Sequence, residues 1–175
     1  MKSMKRENLR NAMTIAAAAG LIAVAAPVAA GTVLGGATVT NGARGVADGS
    51  VIDGPVKVVM PGDPSGRQFD AMAANINLPA GVGGIDWHIH PGPTFGIVTG
   101  GTLTIIDDDC VGHVYAAGEA FVAPRNPHTA RNFSDSQVTV RATFLLPHTS
   151  PATAPTVFVS ASEDDVLDAY CNLAE

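Results

Sequence analysis

The stretch Ile85-Asp86-Trp87-His88-Ile89-His90-Pro91-Gly92-Pro93-Thr94 decides how the chain is read. Its first half has the composition of a strand and its second half that of a turn. On a strand the side-chain period is two, so His88 and His90 project from one face and Trp87 and Ile89 from the other. Two imidazoles one pleat apart have Cα atoms about 6.5–7 Å apart and can reach a common ion. A His-x-His pair by itself is often only a surface or core pair, so its value depends on a third ligand. Asp86 shares the parity of the two histidines. It is either a carboxylate that orients or joins the imidazoles or a residue at the strand entrance in water.

The same alternation of short strand and tight turn extends on both sides. Candidate strands run over 56–60, 68–78, 85–90, 94–99, 102–106, 113–116, 120–123, 129–133, 138–146 and 156–160. Between them stand Pro61-Gly62-Asp63-Pro64, Pro79-Ala80-Gly81, Pro91-Gly92-Pro93, Gly100-Gly101, Pro124-Arg125-Asn126-Pro127 and Pro147. Regular turns between short strands predict an all-β sandwich, jelly roll or small barrel. The 19 Gly and 12 Pro in 175 residues supply those turns, while 15% charged residues are too few for a coiled coil or long helical bundle. A helical pattern appears only near the C-terminus, where Val166, Leu167 and Tyr170 predict a short helix. There is no internal repeat.

From His88-Ile89-His90 to Gly101 the sequence resembles the first motif of the cupin superfamily. In that motif His-x-His is followed after three or four residues by Glu, and six later by Gly; Thr94 stands at the Glu place and Gly101 at the Gly place. The stretch Gly118-Glu119-Ala120-Phe121-Val122-Ala123-Pro124-Arg125-Asn126-Pro127-His128-Thr129-Ala130-Arg131-Asn132 is similar to the second motif. Its turn is one residue short, and Asn126 replaces a Gly. The two motifs together cover about 45 residues and are far more specific than either half. The resemblance implies a double-stranded β-helix or jelly-roll barrel with His88, His90 and His128 facing into its mouth. It also implies a divalent metal on these histidines, namely iron, manganese, zinc, nickel or copper. Thr94 departs from the pattern, because a neutral hydroxyl neither neutralises a metal's charge nor binds it strongly. The set is then three imidazoles with open positions, similar to the three-histidine iron cupins, such as the thiol dioxygenases, in ligand count only. Asn132 shares parity with His128 and is expected either to orient it or to bond the backbone. Pairing into homodimers through sheet edges is a further implication of the family.

The N-terminus carries Lys2, Lys5, Arg6 and Arg10 before an uncharged Ala-rich segment that ends in Val28-Ala29-Ala30. This pattern predicts a secretory signal peptide over residues 1–30, with a retained anchor as the alternative. Lys5-Arg6 with Leu9 resembles a twin-arginine export signal. Cleavage explains much of the positive mean hydropathy of +0.23 and gives an exported protein, whether periplasmic, cell-wall or extracellular. Six basic residues then face fifteen acidic ones, a net charge of −9. Nucleic acid and acidic membrane surfaces are therefore excluded as partners. Residues 31–54 read as a mobile arm or an edge strand, and 55–175 as the barrel domain. In an oxidising compartment Cys110 and Cys171 are expected to form a disulfide rather than remain two buried thiols.

Other polar residues are less informative. His113 reads as a surface residue near the acidic turn and His148 as a loop residue. Asp107-Asp108-Asp109 fits no EF-hand spacing and reads as a solvated hairpin end rather than a calcium site. Phe95, Phe121, Phe133 and Phe144 are expected to pack in the core. No nucleophile elbow, Walker loop or Cys-x-x-Cys is present. Two functions follow. One is a metal-dependent enzyme, dioxygenase-like or isomerase, acting on a small organic molecule. The other is a non-catalytic module that binds a small molecule or sequesters metal.

Overall fold

A computed structural model describes residues 32–48, 68–81, 83–149 and 151–173. The expected signal peptide, the candidate strand over 56–60 and the turn that follows it lie outside the described residues. The strands are β1 (Val33–Leu34), β2 (Thr38–Asp48), β3 (Gln68–Leu78), β4 (Gly84–Ile89), β5 (Thr94–Gly100), β6 (Thr102–Asp107), β7 (Gly112–Ala116), β8 (Ala120–Val122), β9 (His128–Arg131), β10 (Val138–Pro147) and β11 (Val157–Phe158). One helix, α1 (Ala161–Cys171), follows.

The strands form two antiparallel sheets. One has the order β1-β4-β9-β6-β7, with β11 also on β4, and the other the order β2-β3-β10-β5-β8. Neighbours distant in sequence, such as β4 with β9 and β3 with β10, mark the double-stranded β-helix wrap of a jelly roll. Alternation sets the inner face. On β10, Val138, Val140, Ala142, Phe144 and Leu146 are buried in turn, as are Thr94, Gly96 and Val98 on β5. From the other sheet Ile85, Leu103 and Ile105 complete the core with Leu78, Val98, Val138 and Val140.

Two glycines are dictated by space or turn geometry. A Cβ on Gly96 would lie 2.1 Å from the ring of Phe121, its cross-strand partner, so only glycine lets that ring enter the barrel. Gly101 turns the chain from β5 to β6 at φ +75°, a conformation that costs glycine nothing.

The structure modifies several expectations. Strands β1 and β2 pair with β4 and β3, so the residues read as an arm or edge strand are edge strands in both sheets, and the barrel begins before residue 55. Phe95 and Phe133 are exposed at 42% and 60%, not packed, because Phe95 has the outward parity on β5 and Phe133 follows the end of β9. Phe144 is buried and Phe121 packs against the core as expected.

Helix α1 covers the outer face of the six-stranded sheet. Ser160 caps its N-terminus by accepting from the Glu163 amide, and Asn172 ends it in the left-handed conformation. Beneath it Trp87, Ile106 and Val159 form a second core with Leu167, Cys171 and Leu173. Cys171 is disulfide-bonded to Cys110, 61 residues away at the β6–β7 turn. Among the described residues no helix is long and apolar enough to cross a membrane.

Candidate metal centre

Strands β4 and β9 bring the three histidines together. His88 lies opposite His128 in their antiparallel register, and His90 follows immediately after β4. Ring centroids are 4.4 Å apart for His88 and His128, 4.8 Å for His88 and His90, and 5.1 Å for His90 and His128.

Each ring is oriented by a backbone carbonyl that accepts from its Nδ1–H. The acceptors are Asp86 for His88 at 2.5 Å, Pro155 for His90 at 2.9 Å and Asn126 for His128 at 2.9 Å. A proton on Nδ1 leaves Nε2 of every ring with its lone pair, as a metal requires. One ligand atom from each ring lies within 4.8 Å of the other two. Ligands held near 2.1 Å from one ion stand roughly 3–3.4 Å apart. The donor chemistry therefore fits a divalent metal.

Burial keeps the imidazoles neutral. Desolvation, then repulsion from His128 and His90, holds His88 well below its ordinary value of 6.5, against the opposing bond to Asp86. Desolvation lowers His90 to about 4 despite its bond to Pro155. His128 is lowered for the same first reason, with the Asn126 carbonyl and the Asp107 charge opposing.

The histidines line a cavity of about 220 Å³. Thr94 is on its wall, buried, with Oγ1 donating to the Gly92 carbonyl at 3.3 Å. Phe144 meets the ring of His90 edge-on at 5.3 Å, and Phe158 that of His88 at 6.0 Å.

Asp86 and Asn132 are placed elsewhere. The side chain of Asp86 is 4% exposed, neither in water nor beside an imidazole. It accepts from Arg131 at 3.4 Å on the helix side of the sheet, where Arg131 also bonds Asp168. The cause is the register shift between Ile85 and His88, which breaks the regular parity. Asp86 orients His88 through its carbonyl alone. Of the two roles expected for Asn132, the structure shows backbone bonding. Its Nδ2 donates to the carbonyls of Leu78, Pro79 and Ser136, tying the turn after β9 to the end of β3.

One residue near the site was not legible as such. Asp107, read as a hairpin end, is the register partner of His128, and its Oδ1 is buried with no hydrogen-bond partner among the described residues. Its Oδ2 is 3.5 Å from His113 Nε2. The available signal was its parity with Leu103 and Ile105 on β6. His148 is an exposed loop residue bonded to buried Asp70 at 2.7 Å, and Arg44 bonds the same carboxylate.

Residues 75–144 match the family model of the cupin domain. No curated protein matches the chain. Among solved structures, a cupin-like protein from Thermotoga maritima is 16% identical, with 59% of this chain and 75% of that one covered, at a TM-score of 0.43. The polyketide cyclase RemF from Streptomyces resistomycificus is 19% identical over 54% of this chain and 63% of its own, also at 0.43. An RmlC-like cupin family protein from Methanocaldococcus jannaschii is 22% identical over 45% of this chain and 71% of its own, at 0.40. The family match spans the strands that carry all three histidines, so this part of the chain is similar to the cupin domain.

Proposed function

We propose that this is an exported cupin in which His88, His90 and His128 hold a divalent metal, and that it acts on a small organic molecule as a dioxygenase-like oxidoreductase or an isomerase. The observation that carries the reading is the set of three Nε2 atoms left free by three Nδ1 bonds to carbonyls. When bound, the ion supplies Lewis acidity or, if redox-active, oxygen activation at positions the histidines leave open. The chain's own part is to hold neutral imidazoles in a fixed orientation, with Phe144, Phe158 and Thr94 beside them on the cavity wall. Export is supported by the Cys110–Cys171 bond, which persists in an oxidising compartment.

Metal analysis of untagged protein, beside His88→Ala and His128→Ala, tests the centre. Stoichiometric metal in the parent and its loss in both variants is the expected result; a parent without metal sinks the reading. The alternative, a non-catalytic module that binds a small molecule or sequesters metal, is favoured by the absence of any Asp, Glu, Lys or Arg from the described residues lining the cavity. Thermal shift with and without chelator separates the two, since ligand stabilisation that survives chelation favours the module. Tight metal retention without turnover favours sequestration. A homodimer belongs to the same proposal, supported by exposed Phe95, Ile97 and Val122 on the outer face of β5 and β8. A monomeric mass by light scattering counts against it.

A further inference from the structure

We infer that the cavity takes a monoanionic amphiphile, an apolar body of about seven non-hydrogen atoms bearing one acidic group such as a carboxylate, phenolate or enolate. The inference rests on reading the three histidines as metal ligands. A cavity of 220 Å³ holds about seven waters at ~30 Å³ each, which sets the size.

The register sets the polarity. The histidines occupy one end, where His88 faces His128. Two or three residues further along the same strands Ile85 faces Ala130, and Ile105 lies on the other side of Ala130. Beyond them the wall continues with Leu78, Leu103 and Val140. Besides the imidazoles the lining has, among the described residues, only Asn41, Thr94 and Thr156 as polar side chains, and no charged one. A second charge or several hydroxyls on the occupant would be buried there unpaired, each at a cost to binding, largest for a charge.

Charge balance sets the head group. Three neutral imidazoles bring no negative charge to a divalent ion, and Thr94 brings none at the position where the family motif has Glu. Asp107 lies across the strand from His128, outside the cavity lining, and faces His113. In an apolar enclosure an opposite charge is worth far more than in water, so an anionic oxygen at the histidine end is the complement the site lacks. One negative head at that end and an apolar tail along Ile85, Ile105 and Leu103 satisfy both walls.

The test uses the full chain loaded with Co²⁺, its metal content measured first. Octanoate, acetate, oxalate and octan-1-ol are then titrated while unfolding temperature and the visible absorption of the Co²⁺ are followed. Octanoate is expected to bind at least tenfold more tightly than the other three and to change the absorption. Acetate, oxalate or octan-1-ol binding as tightly as octanoate overturns the inference and leaves the metal centre standing. A chain that takes up no Co²⁺ overturns both.

Discussion

At the scale of single residues, the proposed metal centre depends on which nitrogen of each imidazole is occupied. The carbonyls of Asp86, Pro155 and Asn126 make that choice, and none of the three is readable from side-chain chemistry. Replacing His90 by Gln is expected to weaken metal binding at least tenfold, checked by competition with a chromophoric chelator. The lowered histidine values give a pH signature in the metal-free protein. Between about 4, the value for folded His90, and 6.5, the ordinary value, the unfolded chain binds more protons than the folded one. Stability should therefore rise with pH through that window and level off above it, with denaturant titrations at pH 4.5, 5.5 and 7 as the check. A flat profile would mean that the rings are hydrated. The His-x-His pair and His128 were legible because strand parity and motif spacing are local. Asp86 was misplaced because a register shift between two strands is not.

At the scale of elements, β4 is the strand that joins the histidine site to the packing beneath α1. Its inner face carries His88, and its outer face carries Trp87, whose Nε1–H donates to Asp168 at 2.7 Å beneath α1. Asp86, Asp164 and Asp168 lie within 4.8 Å of one another, and Arg131 bonds Asp86 and Asp168. Removing the guanidinium with Arg131→Ala leaves buried carboxylates without their cation and is expected to destabilise by about 3–5 kcal/mol in guanidinium unfolding. The disulfide that anchors the end of α1 closes a loop of 61 residues. By chain entropy its loss in a Cys110→Ser/Cys171→Ser pair is expected to cost up to about 4 kcal/mol, read from the same titration. Strands β3, β5 and β10 were legible almost to the residue, since Gly and Pro turns bound β3 and β5 and a run of Ser, Asp and Gln precedes β10 before Pro147 ends it. The acidic cluster under α1 was not, because with Arg131 it joins residues from three separated segments.

At the scale of the whole molecule, the cavity exists because two sheets fail to close completely on their inner faces. Val33 and Val39, from β1 and β2, line it together with residues up to Phe158. A chain begun at residue 55 loses both strands, uncovers Ile76 and Ile85 and leaves the edge of β3 unpaired. Its unfolding temperature is expected to fall by about 10 °C or more relative to a chain begun at residue 31, as followed by circular dichroism. An equal unfolding temperature would show that β1 and β2 add nothing to the barrel.

The sequence by itself determined the class of fold, the two strand-turn motifs, the three histidines and the pair of cysteines, because each depends on short-range periodicity, turn chemistry or residue type. Only the tertiary structure decided that the three imidazoles come together, that Asp86 turns away from them, that Asp107 lies across the strand from His128 and that the described residues lining the cavity include no charged side chain. Those facts depend on how distant strands register against each other. A one-residue shift there sends a side chain to the opposite face of the sheet.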